Sequence, residues 1–295
     1  MYTSSVLIAC LLLVAYVSGT FDTEACTCAK ELINELWTIN PMGEGQLRNI
    51  LRNEVTRKIP IKELHYPTKE EFNILLYHRT ESPYTGISPP EKSTKGVYVS
   101  FAQQLSNVIH DFVIKKLGGP PRFIIEVGSF IGSGAIYTWA PLVKKNNDTN
   151  AMVVCIDTWQ GDVNMRLGEN FQALMNLQHG APRFYHQFLT RIVEFGLTDT
   201  IFPMPIASVV GARLLAVTHW KIDLIYVDSA HEIGETFSEL ILYFQLVRPG
   251  GMLMGDDYQA FPAVKHDVDL FVKMYGEQLI FEMVHPNQWS IQKKI

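Results

Sequence analysis

Cysteine is scarce in this chain. Four occur in 295 residues, at positions 10, 26, 28 and 155, too few for the disulfide framework that stabilises small secreted domains. Cys26 and Cys28 form a close pair that oxidation could join, and Cys155 lies in an apolar run that predicts a buried thiol. Basic clusters are absent too: lysine and arginine are scattered, and a net charge of −5 with a pI near 6.0 gives no electrostatic footprint for nucleic acid. There is no internal repeat and no low-complexity segment. The dinucleotide fingerprint is missing as well. Gly132-Ser133-Gly134 is followed by Tyr137 where the third small residue should stand, which argues against a nicotinamide oxidoreductase.

What is present describes a globular chain with a sizeable core, 47% hydrophobic and 19% charged. Residues 1–20 stand apart. An apolar run from Ser5 to Val17 precedes the small residues Ser18-Gly19, and it is shorter than the ~20 residues of a spanning helix. It predicts a secretory signal peptide, hence a secreted or secretory-pathway protein. Its leading residues carry no Lys or Arg, so an uncleaved signal anchor stays open as the one membrane contact. Asn147-Asp148-Thr149 is a glycosylation sequon in a polar loop.

Residues 21–97 are less regular. Leu32, Ile33, Leu36 and Trp37 have helical spacing, as do Leu47, Ile50 and Leu51, and Thr68 with Glu71 reads as a capping box before Phe72. Pro83, Pro89 and Pro90 then break the pattern. We read this stretch as an N-terminal helical appendage that packs on the main domain or covers its site. The main domain is 98–295. A helix is expected at 100–116, then strands at 122–127, 152–158, 201–206, 222–228 and 252–256. Helices at 170–178, 184–195 and 232–247 lie between them, and segments 278–284 and 289–293 could close a hairpin. Near-continuous apolar strands alternating with helices predict an α/β fold, a Rossmann-like mostly parallel sheet covered on both faces.

In such a sheet the ligand sits beyond the C-terminal ends of the strands. Strand 1 ends in Glu126 and a glycine turn, Gly128, Gly132 and Gly134, where backbone N–H groups can meet an electron-rich ligand. Strand 2 ends in Asp157, placed to accept ribose hydroxyl protons, its alternative role being an N-cap. Trp159 could face an adenine ring or pack in the core. Strand 3 leads to Ser208. Strand 4 ends in Asp228-Ser229-Ala230-His231 and strand 5 in Asp256-Asp257. Three carboxylates from two strand ends suit a hard cation, Mg²⁺ or Ca²⁺, and His231 beside them could take a proton from a substrate hydroxyl. His179, His186, His219 and His266 lack such neighbours and read as structural.

Four stretches in order carry a resemblance: Glu126-Val-Gly-Ser-Phe-Ile-Gly-Ser133, Asp157-Thr-Trp-Gln-Gly-Asp162, Ile225-Tyr-Val-Asp-Ser-Ala-His231 and Arg248-Pro-Gly-Gly-Met-Leu-Met-Gly-Asp-Asp-Tyr258. Over roughly residues 95–275 the chain resembles class I S-adenosylmethionine-dependent methyltransferases. It is most similar to the small-molecule O-methyltransferase branch with the metal-dependent macrolide-sugar enzymes. The resemblance implies a seven-stranded sheet and transfer of a methyl group to a hydroxyl of a small molecule or glycan. It implies Glu126, Gly128, Ser129 and Gly132 around the methionine end of the donor. Asp157 would bind the ribose with Thr158 and Trp159 nearby, and Ser208 would lie near the adenine. Mg²⁺ would sit on Asp228, Asp256 and Asp257, with His231 as base. A rival reading keeps the fold without turnover, as a secreted binding protein. The N-terminal third matches no family pattern, and a donor made in the cytosol would have to reach the lumen.

Overall fold

The computed structural model describes residues 64–95 and 105–295, all within one compact unit. The predicted signal peptide, Cys10, Cys26, Cys28, the helical patterns at 32–37 and 47–51 and the start of the helix at 100 lie outside the described residues. Chain order runs α1 (Lys69–Tyr77), α2 (Ser106–Leu117), β1 (Phe123–Val127), a π-helical turn (Ala135–Trp139), α3 (Ala140–Val143) and β2 (Met152–Ile156). Then come α4 (Val163–Leu167), α5 (Glu169–Met175), α6 (Phe184–Glu194), β3 (Ile201–Met204), α7 (Ser208–Ala216) and β4 (Ile222–Val227). The chain closes with α8 (Glu235–Leu246), β5 (Val247–Gly255), α9 (Pro262–Tyr275), β6 (Leu279–Met283) and β7 (Trp289–Lys293).

The sheet has seven strands in the order β3-β2-β1-β4-β5-β7-β6. The first five are parallel, and the terminal hairpin adds β7 antiparallel to β5, with β6 outside it. Sequence reading located the elements but not all of them. It had no helix at α7 or α9, although Pro262 at the first turn and Val264, Val268 and Phe271 at helical spacing signal the latter.

The apolar strands are buried on both faces because successive side chains feed different cores. Phe123, Ile125 and Val127 enter a core built with α7, α8 and α9 through Leu215, Tyr243 and Phe271. Ile124 enters the opposite core, with Ile109 of α2, Trp139 and Phe188 of α6. Order reverses between β1 and β4, and there the chain leaves the sheet in opposite directions to open a crevice.

Residues 64–95 belong to this packing. The expected capping box forms at α1: Thr68 N–H donates to Glu71 at 2.7 Å and Glu71 N–H to Thr68 Oγ1 at 3.1 Å. Phe72 packs against Phe202 and Trp220. The carbonyls of Thr200, just before β3, and of Met204 turn to β2, while those of Ile201 and Pro203 turn outward. The outward pair accepts from the Tyr84 hydroxyl at 2.8 Å and from the Tyr77 hydroxyl. Tyrosines from the N-terminal segment thus satisfy a sheet edge that would otherwise be open.

Candidate active site

The glycine turn after β1 is wired into the protein from several sides. Gly128 has φ of +86°, and a Cβ there would collide with the Asp228 carbonyl; glycine lets the ends of β1 and β4 touch. Phe130 takes the left-handed region without being glycine, φ +47°. Its N–H donates to Asp157 Oδ2 at 2.8 Å and its carbonyl accepts from the Trp159 indole at 2.5 Å. Arg191, 2% exposed, reaches from α6 to donate to the Ile131 carbonyl at 3.1 Å and to Ser133 Oγ at 3.3 Å.

Glu126 does not face the crevice. It alternates with Ile125 and Val127, so its carboxyl enters the α2/α6 core, 3% exposed, where Cys155 Sγ donates to it at 3.6 Å. A Cβ at Gly134 would collide with its carboxylate. Burial raises Glu126 to about 7 against the bonds from Ser129, Cys155 and Trp139. Ser129 and Gly132, also expected at the methionine end, do not line the cavity described below: Ser129 Oγ donates to the Glu126 carbonyl at 3.4 Å, and a Cβ on Gly132 would meet Phe188.

At the end of β2, Asp157 accepts from Phe130 N–H and, at 2.6 Å, from Trp159 N–H. Its carboxyl is raised by burial, opposed by these backbone bonds. Of the two roles open to Trp159, the ring takes the core: it is 2% exposed and packs on Tyr185 and Phe188.

The ends of β4 and β5 are of another character. Asp228, His231 and Asp257 offer ligand atoms all within 4.8 Å of one another. His231 Nε2 lies 2.8 Å from Asp257 Oδ2, its ring stacks on Phe261, and Nδ1 faces Asp162 Oδ2 at an ion-pair distance of 3.5 Å. Asp257 is held in the left-handed region at φ +63°. Asp256 turns partly aside: it accepts from Asp257 N–H at 2.7 Å and from the Tyr226 hydroxyl at 3.4 Å. Burial and the charges of Asp256 and Asp257 push Asp228 well above the usual carboxylate range. Desolvation alone would lower His231, but the Asp257 hydrogen bond and the charges of Asp228, Asp257 and Asp162 raise it to about 9.

Two cavities meet here. The larger, about 660 Å³, opens over the ends of β1, β2 and β4, within the range of ligand pockets. Of the expected donor-binding residues, Gly128, Asp157, Thr158, Trp159 and Ser208 line it. Phe130, Phe171, Phe184 and Met165 form one wall; Asp162, Asp228, Glu232, Glu235 and Glu239 form another, and no Lys or Arg is among the described lining residues. The sequence reading singled out Asp228 but passed over the aromatic wall and the glutamates. Glu235 and Glu239 stand one turn apart on α8 with Glu232 in the bend before it, so an acidic cluster was legible in the spacing; the aromatic wall comes from separate elements and had no local signal. The smaller cavity, about 10 Å³, has room for one ion or water and is lined by Asp228, His231, Asp256 and Asp257. All four residues expected to hold or serve the cation therefore border it.

Known proteins provide an independent comparison. Residues 125–258 match the model of a family described as a methyltransferase domain. No curated protein matches the chain. Among solved structures the chain is similar to the O-methyltransferase TomG from Streptomyces achromogenes, involved in tomaymycin synthesis. Identity is 14%, coverage 67% of this chain and 82% of that one, and the TM-score 0.46. It is similar to the O-methyltransferase NovP at 17% identity, covering 76% and 96%, TM-score 0.48. The calicheamicin methyltransferase CalS11 is 16% identical, with 79% and 96% covered and a TM-score of 0.47. The family match starts within β1 and ends just past Asp257, so it spans every residue that lines the larger cavity and the four titratable residues that border the smaller one.

Proposed function

We propose that this protein transfers the sulfonium methyl of S-adenosylmethionine to a hydroxyl of an uncharged small molecule or glycan, assisted by Mg²⁺. The observation that carries this reading is the meeting of the two cavities at Asp228 and His231. A donor-sized pocket and a cation-sized pocket share a wall that holds a titratable imidazole. The donor supplies an electrophilic methyl group, and a divalent cation supplies Lewis acidity. The residues fit both. Asp157 retains lone pairs beyond its two backbone bonds for ribose hydroxyls. Asp228, Asp257 and Asp256 are crowded carboxylates whose mutual repulsion a cation relieves.

The chain's own residues do the rest. Gly128 allows close backbone approach, and the clamped turn holds one reactant in place, which removes orientational freedom before reaction. His231, oriented by Asp257 at 2.8 Å, would accept the acceptor's hydroxyl proton, with Asp257 stabilising the resulting imidazolium. The carboxylates around that imidazole favour its protonated form; Asp228, Asp256 and Asp257, if they held a cation, would lend less negative charge to His231 and leave it freer to act as base. Among the described residues the cavity wall holds no Lys or Arg, so a phosphate or carboxylate acceptor would find no cationic partner in that acidic lining, and the acceptor is assigned as neutral.

The test is calorimetric titration with S-adenosylhomocysteine, with and without Mg²⁺, followed by turnover on a panel of sugar, phenol and lipid hydroxyls. Micromolar binding weakened by Asp157→Ala, with Mg²⁺-dependent turnover, is the expected result. His231→Ala should abolish turnover while Mg²⁺ still binds. Binding without turnover across the panel would replace the reading with that of a binding protein of the same fold.

A further inference from the structure

The sequon in the loop before β2 has no role in the chemistry above, and its geometry gives it one. We propose that Asn147 carries an N-linked glycan. Asn147-Asp148-Thr149 is the chain's single Asn-x-Ser/Thr sequence with x other than Pro. In the structure it lies in the irregular stretch between α3 and β2, where exposure alternates residue by residue. Asn147 and Thr149, the two residues a glycosylating enzyme must read, are exposed. Asn146, Asp148 and Asn150 are half-buried.

The alternation has a cause. Asn146 Nδ2 donates to the Pro120 carbonyl at 3.0 Å, Asp148 pairs with Arg122 and accepts from Asn150 N–H at 2.8 Å. These bonds pin the inner side of the loop to the start of β1, so the outer side presents the Asn and the Thr together. The loop leads into the N-terminal end of β2, whereas both cavities lie at the C-terminal ends of the strands. A glycan there leaves the active site open, and it covers a polar loop rather than a packing surface.

The modification forms a bond between Asn147 Nδ2 and the anomeric carbon of an oligosaccharide supplied by a lipid-pyrophosphate donor. The anomeric C–O bond to pyrophosphate breaks, the lipid pyrophosphate departs, and an amide proton passes to the transferring enzyme. Attachment occurs in the secretory lumen, which the apolar run at residues 5–17 predicts the chain enters. This inference is independent of the methyl-transfer reading.

The full-length chain would be expressed in a eukaryotic secretory cell line and blotted before and after digestion with peptide-N-glycosidase F. The expected result is a mobility shift removed by the enzyme, absent in Asn147→Gln and Thr149→Ala, and retained in Thr149→Ser, which preserves the sequon. Mass spectrometry of the released peptide should show Asn147 converted to Asp. Secreted or lumenal protein without the shift would overturn the assignment, as would protein confined to the cytosol. Retention of the shift in Asn147→Gln would overturn it equally.

Discussion

The crevice has two ends built on opposite principles. At the β1/β2 end nearly every polar group is answered: Asp157 takes two backbone N–H groups, Trp159 holds the Phe130 carbonyl, and Arg191 ties Ile131 to Ser133. At the β4/β5 end, carboxylates crowd together with a single imidazole among them. Folding completes the first end; the second is left under electrostatic tension that only a ligand or proton relieves. Residues of the first end should therefore register in stability as well as in donor binding, whereas removing a carboxylate from the second should impair function with little or no loss of ligand-free stability.

The largest effect should come from the contact that joins the ends. Gly128→Ala sets a Cβ against the Asp228 backbone at a φ of +86°, and neither strand end can yield without breaking the ladder. We expect a loss of more than about 4 kcal/mol or failure to fold. Gly86→Ala has the same handedness, φ +79°, with nothing within 4 Å of the new methyl. It should cost only about 1–2 kcal/mol of backbone strain. Equal denaturation midpoints for the two variants would show that the close approach of β1 and β4 is not what fixes this glycine.

Next come two isosteric changes, one at each end. Asp157→Asn puts an NH₂ where two N–H groups need acceptors and should cost about 1–3 kcal/mol. Asp228→Asn removes a carboxylate already disfavoured by burial and by Asp256 and Asp257. It should leave the ligand-free melting temperature at pH 8 unchanged or higher, abolish stabilisation by Mg²⁺, and lower turnover by more than about 10²-fold. If Asp228→Asn destabilised the ligand-free protein as much as Asp157→Asn does, the contrast between the ends would be false.

How much of this could be read from the chain depends on whether the signal is local. The five parallel strands and their terminal acids were legible because buried strands are short apolar runs and each acid ends one. Asp157, Asp228, His231, Asp256 and Asp257 follow from that register. Glu126 was placed at the donor because its sequence position suits it, but the period of two along β1 turns it into the α2/α6 core. Trp159 looked equally suited to pocket or core, and it serves both: its ring packs on Tyr185 and Phe188 of α6 while the residue lines the large cavity. Arg191 had no signal at all: an arginine inside a helix of Phe, Leu and Ile says nothing about a loop 60 residues earlier.

pH separates the two ends through proton linkage. His231 is raised from 6.5 to about 9 in the folded protein. Its stabilisation is complete below pH 6.5 and is lost as pH rises through about 9. Asp228 and Asp256 are raised as well, so they too favour the folded state at lower pH. Ligand-free melting temperature should fall between pH 6 and 9, and Mg²⁺ should raise it more at pH 8.5 than at pH 6, where protons compete for the same oxygens. Glu126, raised from 4.5 to about 7, adds a decline of the same sign between those values, but Mg²⁺ should not reverse that part. A flat profile from pH 6 to 9 would mean that the β4/β5 cluster carries no tension in solution.

The smallest effect belongs to the far edge of the sheet and is a control on the whole comparison. Tyr84→Phe leaves the ring in its core and removes one hydroxyl, leaving the outward Ile201 carbonyl without its donor. The cost should be about 1 kcal/mol, a melting-temperature drop of roughly 2–4 °C for a domain of this size. Affinity for S-adenosylhomocysteine should stay within about twofold, since among the described residues the β3 segment meets the cavity through Ala207 and Ser208 beyond the strand. A tenfold loss of affinity in this variant, with the fold intact, would mean that the N-terminal segment reaches the pocket through β3, and that the crevice has a third working part besides its two ends.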